Sequence, residues 1–146
     1  MTSSEDLASG DVSPSDYANA TIATLHQLVQ TTTAKVIYFE DTPHPSYNMA
    51  GCVAAHLRDV ASCDFSTSRA YTYPDRHSAT RLGIEKLGGV TIVDPQRWIC
   101  ANTKCPAVVG NLLVYRDGSH ISVPFSKWLS PLITSLLEAT RPRPSG

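Results

Sequence analysis

The stretch from Asn111 to His120, with the amphipathic run that follows it, constrains the fold most. Residues 111–115 are almost wholly apolar and predict a short strand buried on both faces. Asp117 and the glycine after it end this strand, and His120 lies three residues beyond Asp117. Open α/β folds bind ligands at the carboxyl edge of the sheet, where we expect both side chains. An aspartate can orient an imidazole through one ring nitrogen and leave the other as a general base. Asp117 and His120 are therefore candidate catalytic residues.

Apolar periodicity predicts an alternation of helices and strands along the rest of the chain. The predicted helices run from the cap Ser13 to about Thr31, over 52–60, over 75–87, and from the cap Ser122 onward. The predicted strands are 36–39, 90–93 and 111–115. Such alternation indicates the α/β class with a mainly parallel sheet in which these strands are neighbours. We expect a disordered leader over 1–12, one folded domain over 13–140 and a flexible tail over 141–146. Trp98 and Trp128 are predicted to be core residues.

Composition excludes several classes of protein. The 146 residues have a formal net charge of −1 and no Lys/Arg cluster, so nucleic acid is not an expected partner. No apolar run reaches the roughly 18 residues of a membrane-spanning helix. The polar start of the chain lacks the basic and apolar regions of a secretory signal. No cofactor motif is present, and we expect no cofactor.

The four cysteines, in contrast, indicate an oxidising environment. Cys52 and Cys63 form one local pair and Cys100 and Cys105 another, a pattern typical of disulfides formed outside the cytosol. Four cysteines allow three pairings, and we favour Cys52–Cys63 with Cys100–Cys105 because each pair lies in one connecting segment. Zinc bound by the first pair and His56 is the alternative, but the C-x3-H-x6-C spacing matches no common zinc module. Free buried thiols are a third interpretation.

From about residue 14 to 138 the sequence resembles the C-terminal part of an SGNH (GDSL-like) hydrolase domain, of the kind attached to bacterial acyltransferase-3 membrane proteins. The resemblance lies in the motifs Val36-Ile-Tyr-Phe-Glu-Asp-Thr-Pro43, Asp94-x-x-x-Trp-Ile-Cys100, Cys105-Pro-Ala-Val-Val-Gly-Asn111 and Tyr115-Arg-Asp-Gly-Ser-His-Ile121, with Cys52 and Cys63 between the first two. It implies a partial three-layer SGNH/flavodoxin-like sandwich that lacks its N-terminal strand or strands. A second Asp-x-x-His spacing, Asp41 with His44, is interpreted as a polar connection.

The resemblance also implies a function. His120 would be the catalytic base and Asp117 the residue that orients it, in an acyl esterase or O-acyltransferase acting on hydroxyls of envelope or exported glycans. The implied partners are a membrane acyltransferase domain and a glycan acceptor, and the implied location is the extracytoplasmic face of the cell membrane.

The nucleophilic serine of the family, which lies in a Gly-Asp-Ser block, has no counterpart in the sequence. Ser13 follows Gly10-Asp11-Val12 but is better explained as a helix cap. We therefore expect a domain that begins midway, with the serine block in a missing N-terminal half, and a chain that is inactive alone. The alternatives are a non-catalytic glycan-binding or partner-docking module with the same fold, and a redox or metal protein built on the cysteines.

Overall fold

The computed structural model describes residues 12–140. The expected tail, and all of the expected leader except Val12, lie outside these residues. In chain order the elements are α1 (Pro14–Thr31), β1 (Val36–Phe39), α2 (Met49–Ala55), a 3₁₀ turn (Val60–Cys63), β2 (Phe65–Ser66), a second 3₁₀ turn (Thr67–Arg69), α3 (Pro74–Leu87), β3 (Val90–Val93), α4 (Gln96–Ile99), β4 (Lys104–Cys105), β5 (Val108–Val109), β6 (Leu112–Leu113) and α5 (Val123–Thr140).

These elements form two compact units. Within the described residues, the first is drawn from 12–40 and Tyr73–Val93, and the second from Asp41–Thr72 and 94–140. The first unit contains α1, β1, α3 and β3. The second contains all the other elements, including the candidate catalytic residues.

The first unit is a two-stranded parallel sheet with two helices. The predicted helix start is confirmed, since Ser13 Oγ accepts a hydrogen bond from the backbone N–H of Asp16 at 3.1 Å. Strands β1 and β3 pair in parallel, with Val36 opposite Val90 and Phe39 opposite Val93. The α/β class and this pair of predicted parallel strands are therefore confirmed.

A buried carboxylate lies where β1 ends. The Glu40 side chain is 2% exposed, and its Oε2 accepts a hydrogen bond from Arg81 Nη1 of α3 at 2.6 Å. The ring Nε2 of His77 lies 3.8 Å from the other carboxylate oxygen. A carboxylate this deeply buried requires such partners, because an uncompensated buried charge is strongly destabilising. The ion pair thus joins the end of β1 to α3.

The second unit has the largest apolar core. Its fully buried side chains include Met49, Val114, Tyr115 and Phe125. Two disulfides close the surrounding loops, Cys52–Cys63 and Cys100–Cys105. These are the two pairs that the sequence favours.

The helix predicted over 52–60 is displaced toward the N-terminus and shorter. It occupies Met49–Ala55 because the Asn48 side chain accepts a hydrogen bond from Gly51 N–H at 2.9 Å and so caps the helix. The chain then passes through the 3₁₀ turn that ends at Cys63.

The prediction that 111–115 is a third parallel strand is wrong. Only Leu112–Leu113 are extended as β6, and they pair antiparallel with Val108–Val109 of β5. Gly110 has a φ of +61° and, with Asn111, forms the two-residue loop of a hairpin. A two-residue loop with glycine first is the pattern of a type II′ turn, which favours an antiparallel pair. Among the described residues, β1 and β3 are the only parallel pair, so a mainly parallel sheet is not observed.

Helix α5 begins where the sequence predicts. Ser122 Oγ accepts a hydrogen bond from Phe125 N–H at 3.3 Å, and its own hydroxyl donates to the carbonyl of Leu113. Phe125 and Leu129 are buried. Trp128, however, is 50% exposed and stacks on Phe125 with ring centroids 5.3 Å apart. The prediction of Trp128 as a core residue is wrong, because it lies at the margin of the apolar face of α5.

Candidate active site

The candidate catalytic residues lie on a short loop whose two ends are held together. Tyr115 and Ile121 form an antiparallel bridge, and Arg116 N–H donates to the carbonyl of His120 at 2.8 Å. Tyr115 is fully buried, and its hydroxyl donates to the carbonyl of Pro43. Burial raises the pKa of this phenol well above its ordinary value, so it remains a neutral donor. The loop is thus attached to the core at its base.

Within the loop, Asp117 and His120 are in direct contact. The ring nitrogen Nδ1 of His120 lies 2.9 Å from Oδ1 and 3.0 Å from Oδ2 of Asp117. An ionised carboxylate only accepts hydrogen bonds, so Nδ1 is the nitrogen that bears the proton when the ring is neutral. Nε2 then has an unshared electron pair and can act as a base. The structure therefore brings together the two residues that the sequence selects.

The Asp117 carboxylate is fixed by several hydrogen bonds besides the one from the ring. Its Oδ1 accepts the backbone N–H groups of Ser119 at 3.0 Å and His120 at 2.8 Å, and Arg116 Nε donates to Oδ2 at 3.2 Å. These two backbone hydrogen bonds, followed by those from His120 and Arg116, lower the pKa of Asp117 far below its ordinary value. The carboxylate is therefore ionised at any pH at which the imidazole can act as a base.

A second segment lies against this loop. A Cβ atom added to Gly118 would be 3.3 Å from the carbonyl oxygen of Tyr47 and 3.7 Å from that of Pro45. The Tyr47 hydroxyl in turn donates to the carbonyl of Cys63, a residue of the first disulfide. Partial burial, and next the nearby charge of Asp64, raise the pKa of Tyr47. The backbone of Tyr47 thus connects the disulfide loop to the turn that holds the dyad.

The basic nitrogen of the dyad is open to solvent. The His120 side chain is 65% exposed, and no described residue forms a hydrogen bond with its Nε2. The nearest hydroxyl, that of Ser119, lies 3.3 Å from Nδ1, which is the nitrogen already engaged by Asp117. Ser119 is therefore on the wrong side of the ring to be activated by Nε2.

The other histidine-containing candidates give no comparable arrangement. Asp41 and His44 are not hydrogen-bonded to each other, and His44 Nε2 instead lies 3.3 Å from Thr72 Oγ1. His56 Nδ1 lies 3.9 Å from the sulfur of Cys52 and 4.0 Å from that of Cys63. Because these sulfurs are bonded to each other, neither is available as a thiolate ligand for zinc.

Gly118 is the site residue whose role sequence reasoning missed, and for Arg116 the sequence left open an ion pair with Asp117 or a contact with substrate, of which the structure shows the ion pair. Arg116 adjoins Asp117 in sequence, which is compatible with an ion pair, but sequence adjacency does not indicate which carboxylate oxygen it contacts. For Gly118 the sequence indicated a turn. It did not indicate the packing against Tyr47, because the two residues are far apart in the chain.

Residues 2–135 match the family described as the SGNH domain (fused to AT3 domains), where AT3 denotes acyltransferase-3. The chain belongs to this family. No curated protein and no solved structure matches it. The match spans both units and includes the Asp117–His120 loop.

Membership in the SGNH family indicates an acyl esterase-like or acyltransferase-like domain. The fusion that the family description records supports a membrane acyltransferase domain as its partner. Among the helices within residues 12–140, none combines the length and apolar character needed to span a membrane.

Proposed function

We propose that this SGNH domain supplies the general base and its orienting acid for transfer or hydrolysis of acyl groups on hydroxyls of envelope or exported glycans. The observation that supports this most is the hydrogen bond between His120 Nδ1 and the Asp117 carboxylate. His120 is the proposed base, and Asp117 is the residue that orients it. No cofactor is proposed for this reaction.

The proposed chemistry takes place at His120 Nε2. This nitrogen accepts the proton of an attacking hydroxyl while the oxygen adds to the acyl carbonyl, and it later returns the proton to the leaving oxygen. Asp117 keeps the ring in the tautomer that leaves Nε2 free and stabilises the imidazolium formed in this step. Arg116 holds the carboxylate in place through its hydrogen bond to Oδ2.

The hydroxyl itself must come from outside residues 12–140 in this proposal, since none of them places one at Nε2. A base and its orienting acid give little rate acceleration without a positioned nucleophile and oxyanion donors. We therefore propose that the 146-residue chain is inactive alone and requires a serine-bearing segment or partner. Its proposed partner is a membrane acyltransferase domain, and its proposed location is the extracytoplasmic face of the membrane. The two disulfides support that location.

The same open nitrogen supports a second candidate function. A domain whose histidine has no adjacent nucleophile can retain the SGNH fold as a glycan-binding or partner-docking module. In that case His120 would take no part in any proton transfer.

Two assays test the first proposal, and the second of them also distinguishes it from the docking module. Alone, the chain is expected to hydrolyse p-nitrophenyl acetate no faster than an equal concentration of free imidazole. Produced in cells together with its membrane acyltransferase-3 partner, it is expected to increase the ester-linked acyl groups that mild alkali releases from envelope glycans. His120→Ala should abolish this increase, and His26→Ala, at an exposed position on α1, should leave it intact. An increase that survives His120→Ala would assign the chain to the non-catalytic class.

A further inference from the structure

A mostly apolar cavity of about 410 Å³, open to solvent, lies beside the loop that bears the dyad. Its wall includes Ala50 of α2, Leu112 and Leu113 of β6, Arg116, and Val123 with Pro124 at the start of α5. All of these residues belong to the second unit. The cavity is within the size range of pockets that bind small molecules, which are mostly apolar with a few placed polar groups.

Arg116 connects the cavity to the dyad. Its side chain lines the cavity, its Nε donates to Asp117 Oδ2 at 3.2 Å, and its backbone N–H donates to the carbonyl of His120. The Arg116 side chain is 65% exposed, and its terminal nitrogens Nη1 and Nη2 form no hydrogen bond with any residue from 12 to 140. A guanidinium with free donors at the rim of an apolar cavity is complementary to an apolar chain that ends in a carboxylate or ester.

The size of the cavity distinguishes between acyl groups. A water molecule occupies about 30 Å³ in the liquid, and a two-carbon acetyl group is only about twice that size. Because the cavity is open to solvent, an acetyl group would leave most of its apolar wall in contact with water. A longer chain covers more of this wall and also removes its own apolar surface from water.

We infer that this cavity binds an acyl chain longer than acetyl, of roughly eight to twelve carbons at about 30 Å³ per carbon, with the carboxyl carbon at Arg116. The inference rests on the proposed function, because the chain bound here is the acyl group that the dyad would transfer. The released carboxylic acid keeps the same chain and gains a negative charge, so it is a usable probe of the cavity in the absence of activity.

The test is a binding series on the 146-residue chain with butanoate, hexanoate and octanoate, followed by methyl NMR. Signals of Leu112, Leu113 and Val123 should shift on binding, and each added methylene should lower the dissociation constant roughly threefold to fourfold until the cavity is filled. Acetate should bind too weakly to shift them. No shift of these methyl groups with any of the acids, or affinity independent of chain length, would overturn the inference.

Variants identify the site and the role of the guanidinium. Ala50→Leu should occupy part of the cavity and weaken hexanoate binding at least tenfold, whereas Ala55→Leu should not, because Ala55 is exposed and lies about 140° around the same helix. Val123→Phe is a second filling variant at a position that is 62% exposed, where the substitution is compatible with folding. Arg116→Gln should weaken hexanoate but not hexanol, which has the same chain without the charge. Hexanoate binding that is unchanged in both filling variants would overturn the assignment.

Failure here and failure of the proposed function give different results. If binding depends on chain length but acyl transfer is unchanged in His120→Ala, the proposed function is contradicted and the cavity inference is not. His120-dependent transfer without binding of any acid in the series would contradict the cavity inference alone.

Discussion

The backbone N–H of His120 and its ring Nδ1 both bond to the same oxygen of Asp117, at 2.8 and 2.9 Å. One carboxylate oxygen therefore fixes the position of the His120 backbone and the orientation of its ring. The spacing of three residues makes this possible, because it closes a turn in which the aspartate side chain reaches the N–H groups that follow it.

Replacing Asp117 by asparagine separates these two effects. The asparagine oxygen can still accept the backbone N–H groups. Its other atom near Nδ1 is an NH₂ group, which donates hydrogen bonds and cannot accept one from Nδ1 as the second carboxylate oxygen does. We expect the turn to persist and the Nδ1-protonated tautomer of His120 to lose its dominance, which ¹⁵N NMR of the imidazole measures directly. In an assembly that transfers acyl groups, the rate should fall by up to roughly 10⁴-fold. Asp41→Asn is the matched control, since Asp41 is not bonded to His44. An unchanged His120 tautomer in Asp117→Asn would contradict the orienting role.

The lowered pKa of Asp117 predicts how the loop responds to acid. Because the pKa is lower in the folded state than the value of about 3.9 in an unfolded chain, ionisation stabilises the folded loop above that value. This stabilisation is lost as the pH falls through the folded-state pKa. We therefore expect the Asp117 carboxyl carbon to show no titration in ¹³C NMR at pH 4, where the same residue in urea is half protonated. A folded-state midpoint near 3.9 would show that the backbone hydrogen bonds are not maintained in solution.

Predictions from the sequence succeeded where the deciding interactions are local. The helix starts at Ser13 and Ser122 depend on a side chain that reaches a backbone N–H three residues on. The Asp117–His120 contact has the same range. The SGNH motifs extended these local signals to a family, which the match over 2–135 confirms.

The predictions that failed depend on partners distant in sequence, or on a turn signal that was not used. An apolar run such as 111–115 fits a buried parallel strand and a hairpin arm equally well, and Gly110-Asn111 was the evidence for the hairpin. The exposure of Trp128 depends on which neighbours cover α5. The packing of Tyr47 against Gly118 joins segments that have no common pattern in the sequence.

The two disulfides should contribute unequally to stability. Cys52 and Cys63 are 11 residues apart and Cys100 and Cys105 only 5, so the first cross-link removes more entropy from the unfolded chain. Replacing the first pair by alanines should lower the free energy of unfolding by roughly 3 kcal/mol, and replacing the second by about 2 kcal/mol. Denaturant unfolding under non-reducing conditions measures both.

The first disulfide should also influence the dyad, because Cys63 accepts a hydrogen bond from Tyr47, whose backbone lies against Gly118. NMR signals of Asp117 and His120 should shift in the Cys52/Cys63 variant more than in the Cys100/Cys105 variant. Equal shifts, or the larger shift in the second variant, would contradict this connection.

Peptide mapping should find the same two pairs in exported material, and four free thiols there would remove the argument for an extracytoplasmic location.

Gly118 tests the contact between the two segments most directly. A methyl group at this position would lie 3.3 Å from the Tyr47 carbonyl oxygen and 3.5 Å from its carbonyl carbon. These are backbone atoms and cannot rotate away as a flexible side chain can, so the loop itself must shift. We expect Gly118→Ala to lower the free energy of unfolding by about 1 kcal/mol and to displace the His120 ring signals. Gly51→Ala is the control, because its added carbon is 3.5 Å from the Asn48 side chain, an ordinary contact, and alanine is favoured over glycine within α2 by roughly 0.5–1 kcal/mol. If Gly118→Ala were as stable as the parent chain, with unshifted His120 signals, the Tyr47 backbone would not be what holds the turn in place.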